Sequence, residues 1–242
     1  MKHLFLFLFI PAFLIACSSE PVSEPSHLKN VKPLNIQFFE TFNREEILPS
    51  WQNATKWFHE NDSSSKENQE LLKDVIGLEN WVSFHREGAF GYVEEEDIQS
   101  VNSILDHPEV KKLFPEDLQF MWSFGVEETL NYKKVYALYA VKVPKSGEAK
   151  IDGRHILDAA SSFSNYMQKP IISLTMTQEG SKNWKMMTAY NVGRYIAIAV
   201  DKKVLSCPMV REVIAGGATE ISGSFTKKQA EELAAQIRAG RK

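Results

Sequence analysis

The sequence predicts an α+β fold with a mixed, mostly antiparallel sheet and packed helices. Segments with strand-like alternation are interspersed with segments of helix-like apolar spacing, which is typical of this class. Residues 118–124 and 135–143 both alternate in polarity across a polar loop, so we expect them to pair as a hairpin. The last helix is the best specified, because Thr226 and Gln229 form a capping pair and Gly240 follows the apolar stripe.

The N-terminal segment has the pattern of an export signal. A cationic start precedes an apolar run from Leu4 to Ala16, which is too short to span a bilayer comfortably. Leu14 and Ala16 precede Cys17 as in the lipobox of bacterial lipoprotein signals. Residues 1–16 are therefore predicted to be a lipoprotein signal peptide, and Cys17 to be the acylated, mature N-terminus. The alternatives are an uncleaved anchor or an ordinary cleaved signal followed by a chance cysteine.

Composition narrows the choice of partners. The formal net charge is −3, and no long basic run precedes the last few residues, so nucleic-acid binding is not expected. With lipid on Cys17, Cys207 is left without a disulfide partner and is predicted to be a small buried residue. Residues 17–33 are rich in Ser, Pro and Glu and are predicted to be a flexible tether. No later segment is apolar enough to cross a membrane, so lipid on Cys17 is the expected attachment.

The folded body is predicted to start near Leu34 with a strand and two helices. The strand covers Ile36–Phe42, and Asn43 then caps a helix that has a glutamate at its third position. The polar stretch Asn61–Asn68 is predicted to be a loop or insert. A short helix over Gln69–Ile76 follows.

The middle of the chain continues with a strand and acidic helix starts. Phe90–Val93 is a predicted strand, and Glu94–Asp97 begins a helix because acidic side chains complement the helix dipole in the first turn. Asp106–Glu109 is expected to cap a short helix that ends at Phe114.

The second half is predicted to alternate helices and strands. A helix is expected within Ile156–Met167, a strand over Ile171–Met176 and a helix over Gln178–Tyr190. Tyr195–Val200 is apolar on both faces, which predicts a central strand covered on both sides. Val204–Cys207 follows as another strand.

No residue pattern indicates catalysis or a bound cofactor. The six histidines have no metal-binding spacing, and a solvated helix start explains Glu94–Asp97 better than a ligand loop does. Cys207 has no evident base, and the sequence contains no Gly-x-Ser-x-Gly motif. Gly216-Gly217 lies between predicted strands and does not open a helix, so backbone geometry explains it better than phosphate binding. We therefore expect a non-enzymatic protein with no metal or cofactor.

Several segments match one known family in order and spacing. They are Pro170–Met176, Glu179-Gly180, Thr188, Asn191–Gly193, Ile196–Asp201, Val204–Pro208, Ile214–Gly217, Ile221–Thr226 and Glu231–Gly240. Together they resemble the first periplasmic domain of SecD, a membrane component that assists protein export through the Sec channel. Phe38–Phe42 and the run from Tyr92 to Trp122 resemble the form in which SecD and SecF are fused. Lys202 and Cys207 depart from the family, which usually has a glycine and a small residue there.

The resemblance implies a division of the folded body and a function. Residues 34–88 are expected to be a partial base-like region, and residues 89–242 a SecD periplasmic head-like domain. The implied function is that of a lipid-anchored envelope protein that binds exported polypeptides or Sec translocon components. The alternative is a repurposed envelope scaffold unrelated to export. The body is expected in the periplasm, and Ser18, where aspartate would signal inner-membrane retention, favours the outer membrane.

Overall fold

The computed structural model describes residues 31–61, 65–77, 86–223 and 225–241. The strands in these ranges are β1 (Ile36–Glu40), β2 (Gly91–Glu94), β3 (Leu118–Trp122), β4 (Glu127–Glu128), β5 (Lys134–Lys142), β6 (Ile151–Asp152), β7 (Ile156–Ser164), β8 (Lys169–Met176), β9 (Ile196–Val200), β10 (Lys203–Ser206) and β11 (Ala218–Ser222). The helices are α1 (Arg44–Asn61), α2 (Ser65–Gly77), α3 (Ile98–Asp106), α4 (Pro108–Lys111), α5 (Gln178–Tyr190) and α6 (Lys227–Ala239).

The strands form three sheets, and every strand pairing is antiparallel. The helix-covered sheet has the order β2-β5-β3, with β4 also paired to β5. The central sheet has the order β10-β9-β1-β6, and the outer sheet has the order β11-β8-β7. This architecture confirms the predicted α+β class.

One face of the helix-covered sheet packs against α1 to α4. Leu138 and Ala140 of β5 share this core with Trp51 of α1 and Leu72 of α2. The Trp51 ring lies 4.9 Å from that of Phe90, and its Nε1 donates to the Leu72 carbonyl at 2.9 Å. Because the only polar atom of the indole is satisfied, Trp51 can be buried at low cost, and it fixes both long helices on the sheet.

The central sheet is covered on both faces. Towards the helix-covered sheet, Ala197 and Ala199 of β9 share a core with the large side chain of Tyr139. On the opposite face, Ile196 and Ile198 pack with the outer sheet and with α5 and α6. All residues of β9 are buried, which confirms the predicted central strand.

Backbone hydrogen bonds join the helix-covered and central sheets at two places. The Phe42 amide, just after β1, donates to the Ala140 carbonyl of β5 at 2.9 Å. The Phe124 amide, just after β3, donates to the Val204 carbonyl of β10 at 2.7 Å. The two sheets therefore form a connected pair around the Tyr139 core.

The outer sheet, α5 and α6 pack together on the second face of the central sheet. Thr177 caps α5 by accepting a hydrogen bond from the Gly180 amide at 3.1 Å. The predicted capping box of α6 is confirmed, because the Thr226 amide donates to the Gln229 side chain and the Gln229 amide to the Thr226 hydroxyl. The predicted inner stripe of α6 is also buried: Ala230, Leu233, Ala234 and Ile237.

The predicted hairpin is confirmed with one addition. Strand β3 pairs with β5 in the register Leu118↔Lys142 to Trp122↔Leu138. The connection between them contains β4, which pairs with the start of β5 through Glu127↔Val135. A two-residue strand leaves no alternation long enough to detect in the sequence.

The predicted helix within Ile156–Met167 is wrong, since Ile156–Ser164 is strand β7. A register shift between Ile156 and Asp158 explains the error. This bulge lets Ile156 and Ala159, which are 3% and 0% exposed, both face the core although they are three residues apart. An i, i+3 spacing in a bulged strand therefore imitates the spacing of a helix.

Two helix boundaries also differ from the prediction. Helix α2 begins at Ser65, so the end of the predicted loop Asn61–Asn68 is helical, while residues 62–64 lie outside the described part. The apolar stripe of α2 begins only in its second half, and a polar first turn carries no periodic signal. Helix α4 ends at Lys111, before the predicted end at Phe114. Its cap is His107, within the predicted segment Asp106–Glu109, and the His107 Nδ1 accepts from the Glu109 amide at 3.3 Å. Among the described residues, no helix is long and apolar enough to cross a bilayer.

Replacing Leu138 by alanine should reduce the free energy of unfolding by about 2–5 kcal/mol, because the truncation leaves a cavity in the core beneath α1 and α2. Leu138 is 0% exposed, whereas Leu130 is 64% exposed and provides a matched control. Leu130→Ala should change the stability by less than about 0.5 kcal/mol. Urea unfolding followed by circular dichroism measures both, and equal losses would contradict the assigned packing of β5.

Candidate polypeptide-binding surface

A groove of about 590 Å³ opens between the central and outer sheets. Its apolar lining comes from Leu174 of β8, from Ile196 and Ile198 of β9, and from Val210 and Ile214 in the connection between β10 and β11. Residues 218–220 of β11 form one wall. Grooves of this size and character suit apolar ligand groups.

Hydrogen bonds hold the β10–β11 connection in place over the groove. The Gly193 amide donates to the Val210 carbonyl at 2.8 Å, and the Val210 amide donates to the Arg194 carbonyl at 2.9 Å. Further along, the Ile214 amide donates to the Thr188 hydroxyl at 3.1 Å. These bonds tie the groove wall to the C-terminal end of α5, so the groove is largely preformed.

Trp184 of α5 belongs to the groove lining and has an unsatisfied donor. It is 3% exposed, and its ring lies 5.3 Å from that of Phe38 in an edge-to-face arrangement. Its Nε1 is buried and has no hydrogen-bond partner among the described residues. Leaving such a donor unpaired costs about 1–3 kcal/mol. This makes Trp184 different from Trp51, whose indole nitrogen is paired.

The charged residues on the groove walls are unpaired. Arg211, Glu212 and Glu220 are exposed, and none makes an ion pair within the part of the chain that the structure describes. A second cleft of about 650 Å³, near α4 and the start of β3, is different. Four of its charged residues form the ion pairs Lys111–Asp106 at 2.8 Å and Lys145–Glu116 at 3.1 Å.

A third groove, of about 480 Å³, lies beside α6 and is lined in part by Arg86, which belongs to a largely buried ion pair. Nη2 of Arg86 lies 2.5 Å from the Glu127 carboxylate, with side chains 13% and 12% exposed. The Arg86 amide donates to the Tyr92 hydroxyl at 2.6 Å, and burial raises the pKa of Tyr92. Sequence reasoning missed this pair, because the two residues are distant in the chain and occur in no motif.

The structure places the residues considered for chemistry in structural positions. Glu94 pairs with Lys133 at 2.7 Å, and the described residues contain no group of three or more potential metal-ligating side chains. Cys207 is buried as predicted, and burial raises the pKa of its thiol. Gly217 has a φ of +66° in the turn before β11, which fits the predicted need for backbone freedom. Cys17 lies outside the described residues.

These features define an α+β domain with a preformed apolar groove at a sheet edge. The family model described as SecDF, P1 head subdomain, matches residues 130–241. This part of the chain is therefore similar to the SecDF P1 head subdomain, which supports the resemblance found in the sequence. The predicted boundary at residue 89 and the lipid attachment at Cys17 stay predictions.

Curated relatives agree with this assignment. Protein translocase subunit SecD of Rhodothermus marinus is 32% identical over 154 residues, which cover 62% of this chain and 24% of that protein. SecD of Calditerrivibrio nitroreducens is 41% identical over 93 residues, which cover 38% of this chain and 18% of that protein. The chain thus spans a quarter or less of the length of either relative.

A solved structure of SecDF, described as a membrane component that enhances protein export, aligns with 85% of this chain and 94% of its own. The TM-score is 0.38 and the sequence identity 18%, so the assignment of the head-like domain does not depend on this alignment.

Replacing Gly217 by alanine should destabilise the protein by about 2 kcal/mol or more. The left-handed backbone costs about 1–2 kcal/mol for a non-glycine residue, and the new Cβ would also collide with the Ser181 side chain. Gly147 has a similar φ of +74° but nothing within 4 Å of its Cβ position, so Gly147→Ala measures the backbone cost alone. Thermal unfolding distinguishes them, and equal melting temperatures for the two variants would contradict the close approach at Gly217.

Proposed function

We propose that this chain is a lipid-anchored, non-enzymatic envelope protein whose head-like domain binds exported polypeptides or Sec translocon components during protein translocation. The observation that carries the proposal is the match of residues 130–241 to the SecDF P1 head subdomain. The curated relatives are named as protein translocase subunits, which supports a role in translocation. The proposal includes a periplasmic location for the folded body.

The surface chemistry supports a binding role. Unfolded polypeptides offer apolar side chains together with unpaired backbone amides and carbonyls. The groove between the central and outer sheets offers an apolar lining and exposed charges on its walls. These are the features needed to hold a polypeptide segment without acting on it chemically.

The attachment is proposed from the sequence. Residues 1–16 would be removed, Cys17 would carry lipid in the outer membrane, and residues 17–33 would act as a tether. Residues 34–88 and 89–242 would form the base-like and head-like parts of one folded body. The position of β1 supports a joint fold, because this strand of the base-like part pairs with β6 and β9 of the head-like part.

Cys17→Ser should abolish acylation and release the protein from the membrane, because lipid is the proposed attachment. Metabolic labelling with radioactive palmitate and fractionation of cell membranes measure both effects. Cys207→Ser is the matched control, since Cys207 is buried in the folded body and should not carry lipid. A Cys17→Ser protein that still incorporates palmitate would contradict the predicted lipoprotein signal.

Deletion of the gene should slow the maturation of exported proteins, because a binding module of the translocation machinery would be missing. Pulse–chase labelling measures the accumulated precursors, and expression of the full chain should restore normal maturation. Unchanged export together with altered envelope assembly would contradict a role in translocation and favour the alternative, an envelope scaffold.

A further inference from the structure

The two edges of the outer sheet differ in how their backbone groups are covered. At the β7 edge, the C-terminal end of α6 supplies arginines that cover the backbone: Arg238 donates to the Ala159 carbonyl at 3.1 Å, and Arg241 donates to the Leu157 carbonyl. At the opposite edge, formed by β11, no strand of the described residues pairs with the outward side. Natural proteins usually protect such edges, because an open edge pairs with another extended chain.

The register identifies the open backbone groups of β11. The Met176 amide donates to the Gly217 carbonyl at 2.8 Å, so the backbone of Gly217 faces β8. In an antiparallel pair, the backbone groups of successive residues point to opposite edges. The amides and carbonyls of Ala218 and Glu220 therefore point away from β8. They make no hydrogen bond with other described residues.

The open edge and the apolar groove adjoin each other. Ala218, Thr219 and Glu220 of the edge strand also form a wall of the groove. A strand added beside β11 would direct every second side chain to one face of the sheet, where the groove can receive it. The five residues of β11 span about 16 Å, enough to pair with a segment of similar length.

The charges on the groove walls indicate what the occupant carries. The free charges on the walls are Arg211, Glu212 and Glu220, which sum to a negative charge. This balance favours an occupant with basic side chains beside its apolar ones.

We propose that an extended polypeptide with alternating apolar and basic residues adds as a fourth strand to the open edge of β11 and places its apolar side chains in the adjoining groove. This inference rests on the proposed function and identifies its binding site and mode. Backbone pairing supplies affinity for any extended chain, and the groove and wall charges select among chains.

The test uses the full chain, purified in detergent, and a fluorescein-labelled ten-residue peptide in which valine and leucine alternate with lysine. Fluorescence anisotropy measures the Kd. A matched peptide with glutamate in place of lysine should bind more weakly, because its charges are repelled by the groove walls. Sedimentation velocity at the same concentrations reports the oligomeric state.

A matched pair of methionine variants tests the groove. Met209 lines the groove and is 43% exposed, whereas Met186 lies on α5 away from it and is 45% exposed. Met209→Lys should weaken peptide binding about tenfold, because it places a charge where apolar side chains enter, and Met186→Lys should leave the Kd within about twofold. Both positions are at the surface, so neither substitution should unfold the protein.

A second pair tests the backbone pairing at Glu220. Glu220→Gln removes the charge but keeps the outward amide, whereas Glu220→Pro removes both. Proline is tolerated on a sheet edge when its nitrogen faces away from the neighbouring strand. Glu220→Pro should bind about tenfold more weakly than Glu220→Gln, and circular dichroism checks that both are folded. If Glu220→Pro is unfolded, the comparison of Met209→Lys with Met186→Lys tests the proposed binding site instead.

The outcomes separate this inference from the proposed function. If the wild-type chain binds the peptide but Met209→Lys binds equally well, the groove assignment is wrong and polypeptide binding stands. If the wild-type chain binds neither peptide, both the inference and the polypeptide-binding role fail. If the chain instead self-associates and Met209→Lys dissociates it, the occupant is a second copy and the inference is wrong.

Discussion

Burial of the central sheet on both faces is the constraint on which the other layers depend. Strand β9 contributes isoleucines to one core and alanines to the other, and its backbone is paired on both sides, to β1 and β10. A strand without access to water must have all its backbone groups paired, since each unpaired one costs free energy. The helix-covered sheet, the outer sheet and α5 and α6 all pack on the central sheet or on its immediate neighbours. Any loosening of β9 would therefore disturb both cores at once.

The same arrangement leads to the candidate binding surface. The outer sheet has only three strands, and α5 and α6 cover part of the core that it shares with the central sheet. Between β9 and β11 the cover is a connection without regular structure, tied to α5 by the hydrogen bonds of Val210 and Ile214. Where no regular element covers this apolar core, its side chains line a groove, and the groove is therefore apolar. Because β11 lies at its margin, the groove also has an open strand edge.

Sequence reasoning succeeded where a signal is local and failed where partners are distant. The hairpin of β3 and β5, the buried strand β9 and the capped helix α6 each carry their signal within a short window. The strand β7 was predicted wrongly as a helix, because its bulge gave Ile156 and Ala159 the spacing of a helix. The ion pair between Arg86 and Glu127 gave no signal, since nothing in either neighbourhood specifies the other partner.

The sequence alone determined the α+β class, most element positions and the resemblance to the SecD head, because propensity, polarity pattern and motif order are local properties of the chain. Only the tertiary structure decided which sheet edge is covered and which is open. That difference arises because α6 brings Arg238 and Arg241 to the β7 edge, while nothing in the described chain reaches the outward amides of Ala218 and Glu220. Such a surface depends on contacts between elements far apart in the chain, and these contacts form only when the layers pack.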